Sequence, residues 1–327
     1  MNNCPHRREI QVAPMMDWTD RHCRYFHRLL APSALLYTEM VTAEALAHGD
    51  PDQLLGFDAA EKPVVLQLGG SDPAKMAVAA RLGEEAGYDA VNINVGCPSD
   101  RVQDGRFGAC LMDRPALVAE CWRSMADAVA VPVTVKTRLG IDDKDSDAFF
   151  LRFVETVAAA GCTEFVVHAR IAVLAGLSPK ENRTVPPLNY ERVYRLKERH
   201  PALRIVINGG ITTVEQARQH LQQVDAIMLG RAAYHTPWLL AELERELGMP
   251  EHAPANRREV VQRMLPYIDN HLANGGRLHH VTRHMLGLFA ACPGARQWRR
   301  TLSENAHRDD AGIEVVEEAL SALPRAA

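Results

Sequence analysis

Val91-Asn92-Ile93-Asn94-Val95-Gly96-Cys97-Pro98 decides how this chain is read, because it runs a β-strand directly into a glycine-cysteine-proline turn. Apolar and polar residues alternate along it, so Asn92 and Asn94 share one face while Val91, Ile93 and Val95 share the other. Two asparagines on the inward face of a buried strand need partners for their amides, and a bound polar ligand is one way to supply them. Gly96 and Pro98 stop the strand and leave Cys97 at its end, where a thiol can take part in chemistry. Taken alone, that cysteine reads more simply as an inert buried thiol. The rest of the chain changes the reading.

Short β-type runs recur on either side with helical stretches between them, the pattern of a parallel α/β fold. Eight strands are expected, over residues 11–15, 35–40, 64–69, 90–95, 131–137, 164–169, 204–208 and 226–230. Helices are expected over 72–86, 115–128, 147–160, 190–199 and 213–222, with Gly87 and Gly161 where helices commonly end. Eight βα units in about 240 residues predict a (β/α)8 TIM barrel. A doubly wound sheet has no need of eight strands, and no strand here runs at once into GxGxxG. Past Glu246, Gly248, Pro250 and Pro254 form a linker, and helical periodicity without strands follows, with helices expected over 257–274, 283–291, 295–306 and 312–323. The expected organisation is α/β: a TIM barrel over residues 1–246, then a small C-terminal all-α helical-bundle domain over 255–327.

A chain of 327 residues exceeds the usual single core, which agrees with one large unit and one small. The 37 Lys and Arg against 41 Asp and Glu exclude a globally basic nucleic-acid binder, so any such contact needs a local patch. Seven scattered cysteines (Cys4, Cys23, Cys97, Cys110, Cys121, Cys162, Cys292) with no CxxC pair argue against a disulfide framework and against a zinc or iron-sulfur site. No apolar run is long enough to span a membrane, and the first residues lack the apolar segment of a signal peptide. A soluble cytoplasmic protein with no bound metal is expected.

In a TIM barrel the functional face lies at the strand C-termini. There the sequence sets Pro14-Met15-Met16-Asp17, Gln67-Leu68-Gly69-Gly70, Asn94 to Cys97, Lys136-Thr137-Arg138, His168-Ala169-Arg170, Asn208-Gly209-Gly210 and Gly230-Arg231. Gly209-Gly210 and Gly230-Arg231, in consecutive units, bring bare backbone N–H groups and a guanidinium to the place where barrels commonly hold a phosphate, although each pair alone also reads as a simple turn. Lys136 inside the mouth is costly unless something anionic or electron-rich faces it, and a reduced flavin fits, with Gln67 and the main chain of Met15 and Met16 available to the ring edges. A salt bridge for Lys136 and a satisfied core position for His168 are the plainer alternatives.

Together these segments resemble the flavin-dependent tRNA-dihydrouridine synthases over nearly the whole chain. Gly176-Leu177-Ser178-Pro179-Lys180-Glu181-Asn182-Arg183, Thr282-Arg283-His284-Met285-Leu286-Gly287-Leu288-Phe289 and Gly294-Ala295-Arg296-Gln297-Trp298-Arg299-Arg300 are similar to the A-type subgroup. The chain departs from the family pattern at Ile171-Ala172-Val173, where a basic and an aromatic residue are expected. The resemblance implies that FMN, reduced by NADPH at the same mouth, passes a hydride from N5 to C6 of a tRNA uridine in the D loop, at position twenty or its neighbour twenty-a. It implies Cys97 as the proton donor to C5, a role that suits a thiol of pKa about 8.5. It implies flavin binding by Pro14, Met15, Met16, Gln67, Lys136, His168, Asn208, Gly209, Gly210, Gly230 and Arg231, and uracil binding by Asn94. The target base must be turned out of the RNA to reach the flavin. Lys180 and Arg183, with Arg296, Arg299 and Arg300 around Trp298, are the expected tRNA-contacting cations of a protein expected to be monomeric.

Two other readings compete. A flavin oxidoreductase of free pyrimidines or other small molecules would keep the barrel and Cys97 but would not need the helical domain. A non-catalytic tRNA-binding protein would have no use for Cys97, Lys136 and His168 together.

Overall fold

The computed structural model describes residues 10–99 and 105–324. Cys4 and the outermost limits of the two expected domains, residues 1 and 327, lie outside them. Eight parallel strands form one sheet: β1 (Ile10–Val12), β2 (Leu36–Thr42), β3 (Val64–Gly69), β4 (Ala90–Val95), β5 (Val133–Arg138), β6 (Glu164–His168), β7 (Arg204–Asn208) and β8 (Ala226–Leu229). Their order, β1-β8-β7-β6-β5-β4-β3-β2, leaves β1 and β2 as the two ends. A Gln11–Leu35 bridge joins those ends, with Val12 N donating to Leu35 O and Leu35 N to Ile10 O, each at 2.9 Å, and the sheet closes into the expected barrel.

Helices on the connections are α1 (Arg21–Leu30), α2 (Ala43–His48), α3 (Pro51–Leu55), α4 (Pro73–Glu85), α5 (Pro115–Ala126), α6 (Asp147–Ala159), α7 (Tyr190–Arg199) and α8 (Val214–Leu221), with α9 (Arg231–His235) and α10 (Trp238–Leu247) after β8. Most begin where a short polar side chain can cap them: Asp20, Asp72, Ser146, Asn189 and Thr213 each accept from first-turn amides.

The alternation along each strand sorts the barrel into layers. At the N-terminal end Tyr37 Oη donates to Gln11 Oε1 (2.9 Å), Gln11 Nε2 donates to Glu164 Oε1 (3.4 Å), and Arg204 lies 3.5 Å from the other Glu164 oxygen. An apolar layer that includes Val65, Val166, Val206 and Met228 fills the middle. Gln67, Asn92, Asn94, Lys136, His168 and Asn208 follow in the same register towards the strand C-termini. Outward residues such as Leu66, Ile93, Val135 and Ile207 pack under the helices in a larger core.

That outer core continues into the C-terminal helices α11 (Arg257–Ala273), α12 (Leu278–Thr282), α13 (Ala295–Asn305) and α14 (Glu314–Ser321). The helix expected over 283–291 is absent. Successive tight turns replace it, with Met285 N donating to Thr282 O, Leu288 N to Met285 O and Ala290 N to Gly287 O. Gly287 lies against the main chain of His235, where a Cβ would meet the His235 carbonyl carbon at 2.9 Å, and Ala291 adopts φ 64° before Pro293. A regular helix, clothed in side chains all round, does not allow that approach. Among the described residues no helix is long and apolar enough to cross a membrane.

Candidate active site

β4 delivers Asn92 and Asn94 to the interior, and a directional chain of amides crosses the floor of the mouth. Asn94 Nδ2 donates to Gln67 Oε1, Gln67 Nε2 to Asn92 Oδ1, and Asn92 Nδ2 to Thr134 Oγ1, each at 2.8 Å. The protein itself therefore satisfies Asn92, and both ends of the Gln67 amide are engaged. Asn94 Oδ1 accepts the amides of Gly96 (3.1 Å) and Cys97 (3.0 Å), so this side chain shapes the turn, and among the described residues its Nδ2 has only the Gln67 bond, which leaves one hydrogen uncommitted.

Arg138, buried at the end of β5, fastens the same turn: Nε donates to Gly96 O (3.0 Å), and Nη1 donates to Ile171 O (2.8 Å) and Asn182 O (2.9 Å). Ala109 N donates to Cys97 O at 2.9 Å. Held in this way, Cys97 is half-exposed with Sγ 3.5 Å from Ser99 Oγ, whereas Cys121 and Cys162 are packed in the core.

The β1 loop lies across the barrel's joint. Met15 N donates to Thr19 Oγ1 (2.9 Å), and Met15 O accepts the amides of Trp18 and Thr19. The main chain of Met15 is thus spent within its own turn, and that of the exposed Met16 remains for a ligand. Asp17 follows at φ 65°, and its amide donates to Glu39 Oε1. Glu39 stands where the β2–β3 register shifts between Tyr37 and Met40, and its neighbour Thr38 accepts Gln67 N through Oγ1 at 3.0 Å. Burial pushes the Glu39 carboxyl pKa up, against the opposing pull of the Asp17 amide. The sequence reading assigns the second strand no mouth residue. The signal was a lone carboxylate in the apolar run Leu35-Leu36-Tyr37-Thr38-Glu39-Met40.

The opposite wall is cationic. Burial, aided by the charge of Arg138, lowers the pKa of Lys136 to about 7, and its ammonium has no hydrogen-bond partner among the described residues. Burial and then Arg138, Lys136, Arg170 and Arg231 hold the pKa of His168 well below its ordinary value. Arg170 donates to the carbonyls of Thr184 and Pro186, and Arg231 Nη2 to that of Arg183 at 2.9 Å, so both hold the long β6–α7 loop. Among the described residues, the buried Nε of Arg170 and that of Arg183 have no hydrogen-bond partner. Among the described residues no carboxylate pairs with Lys136, Arg138, Arg170, Arg183 or Arg231.

Gly209 (φ 119°) and Gly210 (φ 74°) follow β7. A Cβ on Gly209 would come within 2.8 Å of His168 Cδ2, and one on Gly210 within 2.6 Å of Leu188 Cδ1, so the chain's own packing already demands glycine at both. Tyr190 Oη donates to Gly209 O (2.8 Å), while the two glycine amides make no hydrogen bond among the described residues. Gly230 is open, its nearest prospective neighbours being Ala13 and Met15 at 3.9 Å. Asn208 Nδ2 donates to Met228 O at 2.8 Å and so ties β7 to β8. Uncompensated cations beside free amides fit an anionic, phosphate-bearing flavin.

Lys180 is exposed on the β6–α7 loop, where Ser178 N and Oγ donate to Glu181 and Asn182 Nδ2 donates to Val173 O and Leu177 O. The divergent segment around Ala172 bridges to Ile141. Arg296, Arg299 and Arg300 are exposed on α13, with Arg300 paired to Glu304 at 3.0 Å; Trp298 faces inward, fully buried, and donates to Met285 O. The C-terminal region reaches the mouth elsewhere. Arg283 Nη2 (2.5 Å) and His284 Nε2 (3.1 Å) meet Asp20 Oδ2, while Asp20 Oδ1 caps α1 by accepting the amides of His22 and Cys23.

A closed barrel whose mouth combines a half-exposed thiol, an amide floor and, among the described residues, cations without carboxylate partners has the make-up of a TIM-barrel enzyme whose mouth favours an anionic group. The dihydrouridine synthase (Dus) family model matches residues 11–324. The chain is 59% identical over 309 residues to the tRNA-dihydrouridine(20/20a) synthase of Shewanella oneidensis, covering 94% of this chain and 92% of that one. It is 60% identical over 311 residues to the protein of the same name from Xanthomonas campestris (95% and 92% covered), and 56% identical over 320 residues to that from Vibrio cholerae (98% of each). Among solved structures, a 2-naphthoyl-CoA reductase in complex with 2-naphthoyl-CoA shares the fold, with a TM-score of 0.55 and 10% identity over 73% of this chain and 50% of that one. The chain belongs to the dihydrouridine synthase family, and is accordingly an enzyme of the flavin-dependent oxidoreductase class.

Proposed function

We propose that this enzyme reduces the C5–C6 double bond of tRNA uridines at D-loop positions 20 and 20a, with FMN as its flavin and NADPH as reductant; the relatives' names carry those positions. The observation that carries the reading is Cys97, a half-exposed thiol at the mouth on a turn pinned by Asn94 and Arg138 and facing unpaired cations. When bound, the reduced flavin supplies a hydride to C6 of the uracil.

The chain's own groups do the rest. Cys97 gives its proton to C5 from the other side of the base. Asn94 offers its uncommitted amide hydrogen to the uracil while holding the Cys97 turn. Lys136, His168, Gly209, Gly210, Gly230, Arg231 and the Met16 main chain hold the cofactor, and Pro14, Met15, Gln67 and Asn208 shape the floor beneath it. Arg138 keeps the β4 turn against the β6–α7 loop, whose Lys180 and Arg183 receive RNA phosphates. Within the expected domain 255–327, the described residues up to 324 form a helical tRNA-binding unit, with Arg296, Arg299 and Arg300 on its exposed face, and the enzyme works as a monomer. A uracil reaches a thiol at the mouth of a closed barrel only when turned out of its stack.

The test is to map dihydrouridine in unmodified tRNA after incubation with the purified protein and NADPH. Dihydrouridine at positions 20 and 20a is the expected result. NADPH oxidation stimulated by free uracil, with tRNA left unmodified, would transfer the reading to a small-molecule reductase. Cys97→Ala is expected to keep bound flavin and its reduction by NADPH while dihydrouridine formation falls by about a hundredfold or more.

A further inference from the structure

Five imidazoles form a continuous row that starts beside the mouth and runs outward over the C-terminal helices. His22 lies in the first turn of α1, just past the β1 loop, with Nδ1 2.7 Å from Tyr267 Oη. Its ring meets that of His271 at 4.6 Å, His271 meets His280 at 5.7 Å, His280 meets His279 at 4.4 Å, and His279 stacks on His307 at 4.5 Å. His280 and His307 are exposed, and the other three are half-buried.

Charge around the row is one-sided. His22 faces Asp20, Arg21 and His284; His271 faces Arg21, Asp20 and His280; His279 faces Arg277, Arg283, His280 and His307. Two acids near the row are already engaged, Asp20 by Arg283 and His284, and Asp309 by Arg277. Ring nitrogens His271 Nε2 and His279 Nδ1 are buried and have no hydrogen-bond partner among the described residues.

We propose that this histidine row is a contact surface for the sugar-phosphate backbone of RNA, and that RNA binding there takes up protons. The inference deepens the tRNA reading above and rests on it. Where rings pack against one another among arginines, each added charge repels its neighbours. Burial first, then the neighbouring cations and rings, hold His22 at about 4 and lower His271 and His279 from their ordinary value. A phosphate oxygen at the exposed His280 and His307 supplies the negative charge that the row and its arginines lack. The row begins at the rim of the mouth that takes the target base, on the side where the C-terminal helices meet the barrel. By linkage, a site that gains protons on binding binds more tightly as the pH falls.

The experiment measures unmodified tRNA binding to the full-length flavoprotein at constant ionic strength, in parallel with dihydrouridine formation by the wild type. Wild-type affinity is expected to rise about tenfold between about pH 8 and about pH 6, with proton uptake visible as a buffer-dependent binding enthalpy. In a triple variant of the row's outer end, His279→Gln, His280→Gln and His307→Gln, the rise should shrink to about twofold at unchanged melting temperature. A wild-type affinity that is flat in pH, or that falls on acidification because the charged row pries the helices from the barrel, overturns the proposal. So does a triple variant with the full pH response. In each of these cases dihydrouridine formation leaves the tRNA reading standing, whereas a wild type that makes none removes that reading and this inference with it.

Discussion

Glu39 accepts the amide of Asp17, a non-glycine residue held at φ 65°, and so fixes the turn that presents the Met16 main chain to the mouth. Removing the acceptor leaves a strained turn without its anchor. Glu39→Ala is therefore expected to weaken flavin binding by about tenfold in a fluorescence titration, the equivalent of about 1.4 kcal/mol. Glu39→Gln keeps an oxygen for the same amide and should hold flavin nearly as the wild type does; equal losses in both variants would mean that the negative charge, not the hydrogen bond, matters. This carboxylate was not legible beforehand because a register shift, invisible in one strand read alone, aims it at the mouth. Cys97, Lys136 and His168 were legible, since period-two alternation and the rule that barrel function sits at strand C-termini are enough to bring them to one mouth. What alternation cannot tell is how the amides are spent: Gln67 and Asn92 bond each other and Thr134.

At the scale of elements, the strands were readable because each is covered on both faces and so is written as a short apolar run between turn residues. The turns from 283 to 291 were not, because the contact that forbids a helix there, Gly287 on His235, joins residues about fifty positions apart. In the β7–α8 connection the glycine requirement combines positive φ with close side-chain contact. Gly209→Ala forces a Cβ towards the His168 ring at φ 119°, and should cost about 2 kcal/mol or more in urea unfolding. Gly176→Ala, also at positive φ but with nothing within 4 Å of the added carbon, should cost less. Equal costs would show that strain in the backbone alone, not contact with His168, makes Gly209 necessary.

In the molecule as a whole, Asp20 is the joint between barrel and helices. Burial alone would raise its pKa, but His284, the Cys23 amide and Arg283 outweigh that and hold it well below the ordinary 3.8. A carboxyl lowered on folding stabilises the native state above its unfolded pKa, and that contribution is lost as the pH falls towards the folded value. Asp20→Asn should therefore lower stability at neutral pH by about 2 kcal/mol and flatten the loss seen by wild type below about pH 4. Denaturant unfolding across that range checks both, and a variant that keeps the wild-type acid slope would move its origin elsewhere. Further out, Arg296→Ala with Arg299→Ala should weaken tRNA binding most at low salt and reduce the slope of log affinity against log salt by about 2, with flavin content unchanged. An unchanged slope would remove that helix face from the RNA footprint.

The barrel is thinnest where the two ends of its sheet meet. Between β1 and β2 a single bridge and two main-chain hydrogen bonds take the place of the longer ladders around the rest of the cylinder. The bond from Asp17 to Glu39 crosses the same gap at its upper lip and acts as a third rivet. Any loosening of this joint would shift the Met16 turn and Glu39 together, so the integrity of the cylinder and the seating of its prosthetic group depend on one short line of contacts.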